Sequence, residues 1–198
     1  MKSNAETYEW NAGQSLRPKR SVLFLIAGLI ALLAVGQGQA SMSMPGMNMD
    51  DAAVTRLRGL KGQAFDVAWS KAMLDHHAAA VAMARTEVRQ GRNTQIKKAA
   101  TAVIADQTRE ITLMQSWLKA WKQPIYTPAV KMMAPATGIS ADRWFLSEMI
   151  PHHRGAVAMS RLTPGRSQNA AVKALSLQII AAQSKEILQY RAWLKTVR

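Results

Sequence analysis

The sequence predicts an all-α protein, a four-helix bundle made from two copies of one helical hairpin. Composition is the first observation: helix formers (Ala, Leu, Gln, Lys, Arg, Met) dominate after residue 60, and β-branched runs are scarce. Duplication is the second. AMLDHHAAAVAMAR, Ala72 to Arg85, aligns with EMIPHHRGAVAMSR, Glu148 to Arg161, at an offset of 76 residues (Met73 to Met149). The same offset carries IADQTREITLMQSWLK, Ile104 to Lys119, onto IAAQSKEILQYRAWLK, Ile180 to Lys195, without a gap. Two separated blocks sharing one offset mark an internal repeat. The third is punctuation, with turn signals at Gly91-Arg92-Asn93 and Thr163-Pro164-Gly165.

Residues 1–40 have the layout of an export signal. Arg17-Pro18-Lys19-Arg20 precedes the apolar run Ser21 to Gly36, and Gly38-Gln39-Ala40 supplies small residues for cleavage after Ala40. The run of about 16 residues approaches the length of a membrane span, so the segment is either a cleaved signal peptide or a retained signal anchor. Both place the rest of the chain outside the cytoplasm, in the periplasm or on the outer face of the membrane. Residues 41–60 form a Met-rich segment expected to be flexible.

The duplicated bundle spans 61–198: a first half 61–123, a Pro-rich linker 124–139 and a second half 140–198. In the first half, one helix runs from about Gly62 to Gln90 and a second from Thr94, taken as the N-cap, to Lys122, just short of Pro124. The second half opens at Ser140, breaks at Thr163-Pro164-Gly165 and closes with a helix over about Ser167 to Thr196. Short hairpin turns with a longer crossover are the connections of a four-helix bundle.

Composition also excludes. The chain has no cysteine, which removes disulfides, thiolate metal sites and cysteine nucleophiles. The net charge is +14, yet the basic residues are scattered along the chain rather than gathered in a stripe with aromatic support. This is a solvated basic surface, of the kind drawn to anionic headgroups, and no nucleic-acid partner is expected.

All four histidines lie in the repeated pairs His76-His77 and His152-His153. At 100° per residue, Met73, His76, His77, Ala80 and Met83 share an arc of about 120°, and Met149, His152, His153, Ala156 and Met159 repeat it. On the partner helices, Gln107, Glu110 and Met114 share a face, as do Gln183, Glu186 and Tyr190. The carboxylates and amides there are candidates to orient metal-bound imidazoles, or to act as ligands themselves. Met at helical spacing is ordinarily core filler. Two observations favour a metal: histidine occurs nowhere else, and Pro151 is tolerated inside a helix directly before His152, although an interior proline costs about 3 kcal/mol.

Di-iron bundles place Glu-x-x-His on facing helices; this chain has Met-x-x-His twice. Thioether with imidazole favours copper, Cu(I) above Cu(II), over iron, manganese or magnesium, and zinc gains little from methionine. Met42, Met44, Met47 and Met49 lie in polar sequence without apolar periodicity and read as a flexible copper-capture segment; Met132-Met133 lies in the linker.

Met-Ile-Pro-His-His, Ala-x-x-Met, Gln-x-x-Glu-Ile and Trp-Leu together resemble the domain-of-unknown-function 305 family over about residues 64 to 197. The resemblance implies a ferritin-like bundle and an exported copper-binding protein linked to copper tolerance. It implies Met73, His76, His77, Met83 and Met114 as ligands in the first half, and Met149, His152, His153 and Met159 in the second. The family commonly has Met where Tyr190 stands, and Asp75 replaces the proline of the second copy, so the two sites need not bind alike.

The leading expectation is a binding protein, not an enzyme, which holds copper or exchanges it with other exported copper-handling proteins. Its affinity should weaken below about pH 6 as the imidazoles take protons. The alternatives are a redox-active, oxidase-like metal bundle and a metal-free helical interaction module.

Overall fold

The computed structural model describes residues 49–130, 135 and 139–197, with the side chains of 49 and 50 excepted. Residues 1–40 and Met42, Met44, Met47 and Met132-Met133 lie outside the described residues, as does the side chain of Met49. Among the described residues every regular element is helical, and no helix is long and apolar enough to cross a membrane. The order is α1 (Met49–Arg58), α2 (Gly62–Gln90), α3 (Thr94–Ala120), α4 (Ala141–Ser160), a 3₁₀ turn (Thr163–Gly165) and α5 (Ala170–Leu194).

The duplication appears in the caps. Asn93 accepts hydrogen bonds from the Gln95 and Ile96 amides at the start of α3, and Asn169 accepts from Ala171 and Val172 at the start of α5. Each side chain satisfies two amides that lack a partner within the helix. The caps therefore lie at Asn93, one residue before Thr94, and at Asn169, two after Ser167. Ser140 caps α4 through the Arg143 amide. At the start of α2, Gly62 has φ +58°, a left-handed conformation that glycine adopts without a Cβ penalty.

One segment departs from expectation. Residues 49–58, read as part of a flexible stretch reaching residue 60, form α1, which packs against α4 and α2. Ala53, Val54 and Leu57 share its inner face, and Leu57 is 1% exposed. So short a helix is marginal alone in water; burial against the bundle holds it.

Helices α2 and α3 form one hairpin, α4 and α5 the other, and α2 packs against α4 across the repeat. That crossing is antiparallel. Asp142, in the first turn of α4, accepts hydrogen bonds from the Arg92 and Asn93 amides just beyond α2. At the other end, the Gly62 amide of α2 donates to the Arg166 carbonyl beyond α4, at 2.7 Å. Two apolar cores flank the crossing. The first holds Phe65, Trp69, Met73 and Leu74 of α2, Met114 and Leu118 of α3, Ala156 and Met159 of α4, and Val172, Leu175 and Ile179 of α5. The second holds Ala80, Met83 and Ala84 of α2, Ile96, Ala100 and Val103 of α3, Trp144, Phe145, Leu146, Met149 and Ile150 of α4, and Tyr190 of α5.

The linker after α3 is fastened to α2 at Asp75, the position that holds Pro151 in the second copy. Asp75 accepts from the Tyr126 hydroxyl at 2.5 Å and from the Ala129 amide at 2.9 Å. Burial and then the bond to Asp75 push the Tyr126 phenol up to about 12. Replacing Asp75 by Ala is expected to speed proteolytic nicking at 124–130 about tenfold, the effect of about 1.4 kcal/mol of lost local stability, with helix content unchanged. An unaltered nicking rate would show that the strap is held by other contacts.

Candidate metal centre

His76 and His152 meet where α2 crosses α4, with ring centroids 3.7 Å apart and planes tilted 41°. His152 keeps partial exposure, while His77 and His153 are 0% exposed. The four imidazoles thus run across the middle of the molecule between the two cores. They point inward.

Each buried histidine faces a carboxylate from the second helix of its own hairpin. His77 Nε2 lies 2.5 Å from Glu110 Oε2 in a hydrogen bond, and His153 Nε2 lies 2.7 Å from Glu186 Oε2. The His153 contact lacks hydrogen-bond alignment, which is the first difference between the halves. In both rings Nδ1 is buried with no hydrogen-bond partner among the described residues. A buried nitrogen without a partner is uncommon. A metal-bound imidazole usually directs its other ring nitrogen to a carboxylate, so with Nε2 toward Glu the Nδ1 atom is the one that could hold a metal. Gln107 and Gln183, one turn before those Glu residues, are also buried, and each Oε1 lacks a partner.

Burial favours the neutral form of the His77 and His152 rings. Burial lowers the His77 pKa, only partly opposed by Glu110. His152 is lowered well below 6.5, first by burial and then by the neighbouring His76, His153 and His77 rings. A neutral imidazole offers a lone pair, the form a metal needs.

The methionines divide differently from their helical angles. Met73 and Met83 share a face but lie ten residues apart, about 15 Å along the axis, too far for one ion. Because α4 runs antiparallel to α2, Met73 and Met114 share a core with Met159 of the second half, while Met149 shares one with Met83 of the first. Each cluster is therefore built from both halves. Where the first has Met114, the second has Tyr190, whose ring packs 5.8 Å from His153 and 5.7 Å from Phe145. Burial, and then the Glu186 charge, raise the Tyr190 pKa. Helical angle alone does not reveal Tyr190 beside His153; the 76-residue register that sets it against Met114 does.

Among the described residues no three His, Asp or Glu side chains converge as a metal-binding group by themselves. The methionine sulfurs of the two cores are further donors that could hold a metal beside the imidazoles. Imidazole with thioether is a donor combination that suits soft cations.

No curated protein matches the chain. Solved structures do. A structure of CopM in the Cu(I)-bound form is 34% identical, with TM-score 0.62 over 66% of this chain and 96% of that one. CopM in the Cu(II)-bound form is 33% identical, with TM-score 0.61 over 67% of this chain and 98% of the other. A DUF305 fragment from Deinococcus radiodurans is 26% identical, with TM-score 0.58 over 67% and 96% of the two chains. The family model for the domain of unknown function DUF305 matches residues 32–118, 90–139 and 142–198. Matched through both of its repeats, the chain belongs to the DUF305 family.

Proposed function

We propose that this chain is an exported copper-binding protein that sequesters copper or passes it on, with Cu(I) the favoured ion, and that it carries out no chemistry on an organic substrate. One observation carries this reading. Two buried imidazoles with unpartnered Nδ1 atoms, each backed by a carboxylate at Nε2, lie between cores rich in methionine. Imidazole with thioether is a donor set for Cu(I). The solved relatives described as copper- and silver-bound CopM support the same class of cargo. A role in copper tolerance follows from storing or relaying the ion outside the cytoplasm, where the basic-then-apolar N-terminus directs the chain.

Titration of the chain with Cu(I) against a competing chelator tests the reading. Two tightly bound equivalents are expected in the bundle, with any further equivalents lost when residues 41–50 are deleted. Because the His77 and His152 pKa values are lowered, protons compete less for the ring nitrogens than in free histidine. Affinity should therefore hold at pH 6 and weaken only further into acid, below the window expected from unperturbed histidines. A chain that retains no copper at pH 7 would overturn the proposal.

A further inference from the structure

The two clusters are related by the 76-residue register but differ in one donor, and that difference has a chemical consequence. Tyr190 is 2% exposed, and its hydroxyl has no hydrogen-bond partner among the described residues. Buried tyrosine hydroxyls nearly always find a partner, so one left without is a donor awaiting something. Its surroundings are those of a ligand. The ring packs 5.8 Å from the His153 ring and shares a core with Met83 and Met149. Glu186, one turn earlier on α5, lies 2.7 Å from His153 Nε2, and that contact is unaligned, unlike the bond from His77 to Glu110.

We propose that Tyr190 is an oxygen ligand for Cu(II), so that the site holding His153 accepts the oxidised ion while the site holding His77 and Met114 is reserved for Cu(I). This rests on the copper reading above and adds a division of labour to it. Both sites have a carboxylate against the imidazole, but the His153 site adds a phenol oxygen, which completes an N,O donor set suited to Cu(II), where the first site has the Met114 thioether. On binding, the Tyr190 O–H bond breaks and an O–Cu(II) bond forms. The proton is released to water. No group is oxidised or reduced.

The test adds Cu(II) sulfate, and separately Cu(I), to the full chain and to Tyr190→Phe and Tyr190→Met. Wild type should bind one Cu(II) in the bundle with a visible phenolate-to-copper charge-transfer band. Tyr190→Phe should lose the band and about tenfold in Cu(II) affinity while binding Cu(I) as before, since one N,O donor is removed from a set. Tyr190→Met, which copies Met114, should lose the band and gain Cu(I) affinity at that site. Far-UV circular dichroism of both variants reports that the fold is kept. Cu(I) binding by wild type with no band on adding Cu(II), or a band that survives in Tyr190→Phe, would overturn this assignment and leave the copper reading standing. Failure to bind either ion would sink both.

Discussion

Replacing Met73 and Met149 together by leucine is expected to lower Cu(I) affinity at both sites by at least about a hundredfold, at or beyond the top of the 10- to 100-fold range for losing an outer-shell partner. The fold should survive. Both side chains are fully buried, and a Met-to-Leu exchange conserves volume, costing less than about 1.5 kcal/mol at each position. Thermal unfolding of the metal-free chain then separates lost ligation from lost packing. The grouping of methionines makes the prediction sharper. Met73→Leu with Met159→Leu strikes one cluster only and should leave one strong equivalent. Met73→Leu with Met83→Leu strikes one position in each cluster, although both lie in the first half, and should weaken both equivalents. Unchanged Cu(I) affinity in the Met73/Met149 double variant, with the fold intact, would rule out thioether ligation at these positions.

Glu87→Gln is expected to stabilise the metal-free protein by about 2–3 kcal/mol at pH 7 and by nothing near pH 4. Glu87 is 0% exposed near the end of α2 and meets Asp142 at the start of α4. Burial, and then the neighbouring Asp142 carboxylate, push its carboxyl up to about 8 from 4.5. Asp142 goes the other way. Burial opposes its ionisation, but the Asn93 and Arg92 amides outweigh that and hold its pKa low. Between pH 4.5 and 8 the unfolded chain releases the Glu87 proton while the folded chain retains it. Stability is therefore fully present below that window, falls as pH rises through it, and levels off above. Glutamine keeps the shape without the ionisation, so the falling slope should vanish. Shape matters at this spot because a Cβ on Gly91 would run into the Glu87 carboxyl. Urea unfolding at pH 4.5, 7 and 9 measures the effect; parallel pH profiles for variant and wild type would show that Glu87 is not the group responsible.

Helix positions were readable because their ends carry local chemistry. Gly91 follows α2, Pro124 stands beyond α3, and Thr163-Pro164-Gly165 closes the first helix of the second half. Caps were readable only to within a residue or two. Thr94 and Asn93 are both cap-forming types, asparagine the stronger, and only the backbone shows which side chain reaches the free amides. The α1 helix was not readable. Its propensity is ordinary, and its stability comes from seating Leu57 in a core assembled from distant segments.

The sequence by itself determined the duplication, the all-helical class, the family, and the gathering of every imidazole, with Met73, Met83, Met149 and Met159, onto corresponding helix faces, because these are properties of order and period along one chain. Only the tertiary structure decided which of those side chains share a level. Helical period sets the angle of a side chain around its axis but not the height at which a neighbouring helix crosses it. The antiparallel crossing of α2 and α4 brings His76 against His152 and exchanges Met83 and Met159 between the halves, and the pairing of α4 with α5 sets the Tyr190 ring against that of His153.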